Sequence, residues 1–236
     1  MTITELLYKY WGFRAFRPLQ EEIIESVIEK KDTLALLPTG GGKSLCYQVP
    51  GLFLEGFCLV ITPLIALMKD QVGALNKKGI IAYAIYSGMD KMEIKSILDK
   101  TASGLVKFLY VSPERLTTDL FKAHLPHFKI NLIAVDEAHC ISQWGYDFRP
   151  PYLKIAEIRE WFPNSPVLAL TATATPNVVD DIIQNLQFKN RNIFRNSFQR
   201  ENLVYMVLKE EDKLNRILSI LNKVPGSSII YVRNRK

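Results

Sequence analysis

The chain has 236 residues, 48% of them hydrophobic, and a formal net charge of +6. That hydrophobic share excludes a disordered chain, and the length suffices for one large α/β domain or for one domain and part of another. The basic balance fits an acidic partner such as nucleic acid, and equally an ordinary, slightly basic enzyme. The three cysteines, Cys46, Cys58 and Cys140, lack C-x-x-C spacing and are odd in number, which argues against a disulfide framework or a zinc cluster and for a reducing compartment. No signal core opens the chain and no apolar run is long enough to span a bilayer. The expectation is a soluble intracellular protein with no membrane contact, in the cytoplasm or nucleoid of a bacterium or the nucleus of a eukaryote.

In chain order, Phe13-Arg14-Ala15-Phe16-Arg17-Pro18-Leu19-Gln20 leads into a helix predicted over 19–29. Phe13 and Arg17 are suited to sandwich an adenine ring while Gln20 reads its edge by paired hydrogen bonds, although as an isolated string this means little. An apolar strand at 34–37 then runs into Leu37-Pro38-Thr39-Gly40-Gly41-Gly42-Lys43-Ser44 and a helix, the context a phosphate loop requires. Thr39 and the glycines turn backbone N–H groups toward phosphate oxygens, Lys43 reaches the β- and γ-phosphates, and the Ser44 hydroxyl is a Mg²⁺ ligand. Leu37 stands where the strict pattern has Gly.

Further short apolar runs at 59–61, 108–111, 132–135 and 167–170 end in Thr62-Pro63, Ser112-Pro113, Asp136 and Thr171, with helical patterns at 65–77, 91–98, 152–161 and 177–186. Continuous apolar strands alternating with helices indicate an α/β fold with a mostly parallel sheet buried on both faces, and ligands of such sheets bind outside the strand carboxyl ends. His124 and His127, three apart without a further ligand nearby, read as an ordinary surface helix.

Asp136-Glu137-Ala138-His139 supplies a carboxylate for Mg²⁺, a second to orient and deprotonate water, and a histidine placed as a relay. Gln143, Trp144, Tyr146, Phe148 and Arg149 continue into an aromatic, polar loop on which bases can stack; the alternative is an apolar plug under a helix. Thr171-Ala172-Thr173-Ala174-Thr175-Pro176 can hydrogen-bond the acids, with Thr175-Pro176 as a helix start. Residues 196–202 read as a linker. An alternating run at 203–208, a helix at 212–221 and a strand at 229–232 read as the first strand-helix-strand unit of a second α/β domain.

Together these residues resemble the RecQ family of superfamily 2 DNA helicases. The likeness runs through Phe16-Arg17-Pro18-Leu19-Gln20, the phosphate loop continuing to Leu45-Cys46-Tyr47-Gln48, Thr62-Pro63-Leu64-Ile65-Ala66-Leu67-Met68-Lys69-Asp70-Gln71, Ser112-Pro113-Glu114-Arg115-Leu116, and Asp136 to Arg149. The aromatic continuation after the acids is the specific signal, because DEAD-box RNA helicases have the acids without it. The resemblance implies a RecA-like first lobe over 1–200 and the start of a second lobe over 201–236. It implies ATP and Mg²⁺ as cofactors, with no zinc in this stretch, and 3′-to-5′ DNA unwinding in repair or recombination by a monomer. The implied catalytic groups are Lys43, Asp136, Glu137 and His139. The implied DNA contacts are Pro63, Leu64, Ser112, Arg115, Gln143, Trp144, Phe148 and Arg149.

Ile229-Ile230-Tyr231-Val232-Arg233-Asn234-Arg235 looks like the first motif of the second lobe. The family's arginine finger would lie beyond it, so weak hydrolysis is expected of this stretch alone. A chain end there leaves strand edges uncovered, which points to an imposed rather than a natural stop. A nucleotide-dependent nucleic-acid-binding module without unwinding is the alternative; a metabolic P-loop kinase leaves the aromatic loop unexplained.

Overall fold

The computed structural model describes residues 1–38, 40–145, 147–197 and 203–232. Thr39, Tyr146, most of the predicted linker and the last three residues of the Ile229–Arg235 motif therefore lie outside the described residues. The chain divides into two units, Met1–Phe198 and Gln199–Lys236.

In the first unit, seven strands form one parallel sheet: β1 (Thr33–Leu36), β2 (Phe57–Ile61), β3 (Ala82–Ile85), β4 (Phe108–Val111), β5 (Ile130–Val135), β6 (Val167–Thr171) and β7 (Ile193–Arg195). Their order is β3-β4-β2-β5-β6-β1-β7, and every neighbouring pair runs parallel. Every residue of β1, β2, β4 and β6 is buried. Alternate strand residues feed two separate cores because side chains alternate across a sheet. Leu59, Ile61, Ile133 and Val135 join one core and Cys58, Val60, Leu132 and Ala134 the other. The second core is covered by α2 (Gln20–Ile28), α3 (Leu45–Phe53) and α4 (Ile65–Lys77). The first is covered by α5 (Lys91–Ala102), α6 (Asp119–His124), α7 (Ala156–Trp161) and α8 (Pro176–Asn185).

Helix α1 (Ile3–Trp11) precedes these and opens with a capping box, in which Thr2 Oγ1 accepts from Glu5 N and Glu5 accepts from Thr2 N. The predicted helix 152–161 is split: Pro150–Lys154 is a 3-10 turn and α7 follows. Pro150 and Pro151 have no N–H to donate, and the turn is held by Tyr152 N to Arg149 O and Ile155 N to Tyr152 O. His124 ends α6 and bonds Asp99 Oδ1 at 3.0 Å, while His127 lies in the next turn.

At the amino ends of the strands a buried ion pair ties four elements together. Arg159 Nη2 lies 2.8 Å from Asp32 Oδ2, and Arg159 Nη1 donates to Leu186 O and Gln187 O. Asp32 also accepts from Val167 N and Lys189 N. With its lone pairs and donors satisfied this pair is tolerated in the core, and removing either partner leaves a buried charge.

In the second unit helix α9 (Lys213–Lys223) forms as the periodicity predicts, capped by Asp212 accepting from Asn215 N. The two strands predicted beside it, at 203–208 and 229–232, are not formed among the described residues. A lone strand has no ladder partner to satisfy its backbone, so alternating residues alone do not make one.

Candidate nucleotide site and aromatic loop

The backbone aligns the strand carboxyl ends. Leu37 N donates to Thr171 O, Thr62 N to Val111 O, Ser112 N to Ile85 O, and Asp136 N to Ile61 O at 2.8 Å. The polar residues that end the strands therefore share one rim.

On that rim lies a cavity of about 470 Å³, lined among others by Phe13, Arg17, Gln20, Gly40, Gly42, Lys43, Ser44, Tyr47, Asp136 and Glu137. The segment expected to read adenine is laced to the phosphate loop. Gln20 Nε2 donates to Gly42 O at 3.1 Å and Gly41 O at 3.3 Å, and its Oε1 accepts from Arg17 N at 2.9 Å. The Arg17 guanidinium donates to Gly40 O. Both side chains thus bond carbonyls of the phosphate loop. Gly42 is required by this contact, since it has φ +77 and a Cβ there would lie 2.3 Å from Gln20 Nε2. Lys43 Nζ reaches back to Leu37 O at 3.5 Å.

Asp136 is held by its backbone on both sides, its carbonyl accepting from the Tyr152 hydroxyl at 3.0 Å. Its carboxylate accepts from Glu137 N. Burial, and then the adjacent Glu137 charge, raise its pKa to about 6, against the pull of the Glu137 amide and Lys43. Glu137 takes the left-handed backbone conformation, φ +48 and ψ +45, which costs a non-glycine residue about 1–2 kcal/mol. That turn joins β5 to the 3-10 segment Ala138–Ile141 and leaves Glu137 lining the cavity.

His139 is buried and its Nδ1 lies 3.4 Å from Glu137 Oε2 and 2.9 Å from Thr171 Oγ1. Thr171 directs its own proton to Thr173 O, so its oxygen accepts from His139 Nδ1–H. Burial holds the imidazole below its ordinary pKa. Thr171 thus meets the histidine, where sequence reasoning had it bond the acids.

Beyond His139 the loop is built from polar contacts. The Cys140 thiol donates toward Asp147 Oδ2 at 3.8 Å, and Asp147 accepts from Arg149 Nε and Nη2 at 3.1 and 3.0 Å. Ser142 Oγ donates to Asp181 on α8 at 2.6 Å and accepts from Trp144 N. Gly145 lies against the 3-10 turn, where a Cβ would come within 2.6 Å of His139 O. Gln143 is exposed, Trp144 is 73% exposed, and Phe148 and Arg149 are half-buried. A second cavity of about 390 Å³ is lined by His139, Trp144, Gly145, Thr173, Ala174, Thr175 and Val178, so His139 lines this cavity while it contacts Glu137 of the first.

The remaining candidates lie at the ends of β2 and β4. Leu64 is exposed and begins α4. Arg115 donates twice to Tyr86 O, and Ser112 Oγ and Thr62 Oγ1 are buried without a hydrogen-bond partner among the described residues. Tyr47 and Leu67 also line the nucleotide cavity and were not singled out by motif. Tyr47 lies three residues after Ser44, on the same face of α3.

A phosphate-loop strand-to-helix turn, an acid pair on the next strand but one in the sheet, and a parallel sheet define an α/β protein built to hold a nucleotide at its strand ends. Residues 17–182 match the DEAD/DEAH box helicase family, and the chain belongs to it. It is 45% identical over 235 residues to an ATP-dependent DNA helicase RecQ of Bacillus subtilis, covering 98% of this chain and 40% of that protein. It is 41% identical over 235 residues to the RecQ of Pasteurella multocida, covering 99% of this chain and 37% of that one. The chain thus spans well under half the length of these relatives. Among solved structures, the DUF1998 helicase MrfA bound to DNA aligns with a TM-score of 0.65 at 17% identity, over 82% of this chain and 28% of that one. An ATP-dependent RNA helicase from Sulfolobus tokodaii, described as hypothetical, aligns at 0.60 and 21% identity, over 81% and 56%. These likenesses show the RecA-like helicase fold.

Proposed function

We propose that the chain is the nucleotide-binding lobe of a RecQ-type helicase that couples ATP hydrolysis to 3′-to-5′ movement on single-stranded DNA and to duplex unwinding in repair or recombination. One observation carries this reading: the phosphate loop, the acid pair and the 13–20 segment converge on one cavity, and His139 joins that cavity to the aromatic loop. In this reading Lys43 meets the β- and γ-phosphates, Thr39, Gly40, Gly41 and Gly42 cradle them, and Phe13 holds the base together with Arg17 and Gln20, which exchange their bonds to the loop.

Ser44 and Asp136 are hard oxygen donors that fit Mg²⁺, an ion that takes one or two protein ligands and completes its shell with phosphate and water. When bound, the ion neutralises phosphate charge. The burial that raises Asp136 is the environment a cation offsets. Glu137 orients and deprotonates water, and His139 reports its state to Thr171 and the loop. Pro63, Leu64, Ser112 and Arg115 on one side, and Gln143, Trp144, Phe148 and Arg149 on the other, contact DNA. Residues 201–236 begin the second lobe, and an arginine finger reaching the site from such a lobe is worth about 10³–10⁵ in turnover.

Calorimetric titration of Mg·ATP and anisotropy with labelled single-stranded DNA test this. The protein binds both, and Lys43→Ala loses Mg·ATP while keeping nucleotide-free DNA affinity. Unchanged ATP affinity in that variant removes Lys43 from the site.

A further inference from the structure

Behind the phosphate loop, four polar side chains sit inside the core covered by α2, α3 and α4. Tyr47 and Gln48 come from α3, Tyr110 from β4 and Gln71 from α4. Tyr47, Tyr110 and Gln48 are 2%, 1% and 4% exposed. Phosphate binding does not require polar groups here. Each buried hydroxyl or amide is tolerated because it has a partner.

The partners form one chain. Gln48 Nε2 donates to Gln71 Oε1 at 2.9 Å and to the Tyr110 hydroxyl at 3.4 Å. The Tyr110 and Tyr47 hydroxyls lie 3.3 Å apart, their rings edge to face at 6.3 Å between centroids. Tyr47 in turn lines the nucleotide cavity together with Ser44. Tyr110 accepts from Gln48, and either phenol can donate to the other. The bonds therefore run from the middle of α4 to the Tyr47 side chain at the wall of the nucleotide cavity. Burial pushes both phenols well above their ordinary range, so both remain protonated donors. Helix α4 in turn begins directly after Thr62-Pro63-Leu64.

We infer that Tyr47, Gln48, Tyr110 and Gln71 are positioning residues that tie the Tyr47 wall of the nucleotide cavity to α4, so that nucleotide at the phosphate loop and a DNA strand at the start of α4 alter each other's affinity through this chain. The inference rests on the function proposed above. It adds a second route, on the opposite face of the sheet from the His139 turn. A contiguous hydrogen-bonded network is the kind of element that double-mutant cycles can resolve.

Tyr110→Phe removes the central hydroxyl and keeps the ring; Gln71→Leu cuts the chain at α4. Mg·ATP affinity is measured with and without saturating single-stranded oligonucleotide, and oligonucleotide affinity with and without a saturating non-hydrolysable ATP analogue. Linkage requires the two ratios to agree. Each variant binds each ligand alone within about twofold of the parent, while a parental ratio of about fivefold or more falls toward one. The double variant loses no more than either single variant, because one broken link suffices. A merely structural role moves thermal stability and the separate affinities and leaves the ratio alone. Variants that keep the parental ratio, or a parent that binds both ligands with no ratio, overturn the inference. A parent that binds neither ligand removes the reading of the site itself and the inference with it.

Discussion

Asp136→Asn should make the ligand-free protein more stable, and only at neutral and higher pH. Folding raises this carboxyl from an ordinary 3.8 to about 6, with burial as the main cause. The sign follows from linkage. Below about pH 4 the carboxyl is protonated in both states and costs nothing. As pH rises through the window from 3.8 to about 6, the unfolded chain releases the proton that the folded protein still holds. Above it the folded protein carries a desolvated charge. The difference corresponds to roughly 3 kcal/mol, an upper figure for a half-buried group. Asparagine is neutral at every pH and keeps the oxygen that accepts from Glu137 N. For a unit of this size, a gain of that order raises the melting temperature by about 6–12 °C. The assay is thermal unfolding of both proteins, free of nucleotide and magnesium, from about pH 4.5 to about pH 8. Their melting temperatures should draw together at the acid end and separate toward neutrality. Parallel curves across that range would refute the idea that the carboxylate is held at a cost.

Arg159→Leu leaves Asp32 buried without its cation and two carbonyls without a donor, and should cost about 3–5 kcal/mol in urea unfolding; a loss under about 1 kcal/mol would show that the clamp is solvated. Trp144→Ala should weaken single-stranded DNA binding by about 1–3 kcal/mol without lowering the melting temperature, because the ring is exposed. Phe148→Ala should lower both, since that ring is half-buried. If both variants bind DNA like the parent, the loop is packing, and the coupling drawn through His139 fails.

The parts of the fold legible from sequence were those with their own periodicity. The apolar runs at 34–37, 59–61, 108–111, 132–135 and 167–170 lie on central strands, and α4 spans the predicted 65–77. The edge strands β3 and β7 escaped because half-covered strands lack a continuous apolar run. Asn76 even substitutes for a neighbouring strand at Ala82, donating to its carbonyl and accepting from its amide, which motif reading cannot reveal. Helix α1 carries its own local signal, the capping box Thr2-x-x-Glu5. In the site, the residue types and their order announced phosphate, acid and stacking chemistry. What they did not announce depends on tertiary geometry: the bonds of Gln20 and Arg17 to the loop, the left-handed Glu137, and a histidine set between Glu137 and Thr171. The strands expected at 203–208 and 229–232 show the converse, a local pattern without the partner that makes it a strand.

The lacing of the 13–20 segment to the phosphate loop also bears on selectivity. Gln20 and Arg17 already bond the loop carbonyls, so a purine edge entering there exchanges hydrogen bonds rather than adding them. For a matching base the exchange is close to neutral, and the affinity must come mainly from the triphosphate. A mismatched base breaks the same internal bonds and leaves their donors unpaired, a loss with nothing to offset it. If the base binds here as proposed, filling the site with its own backbone would make the protein a weak holder of bases and a strict judge of them.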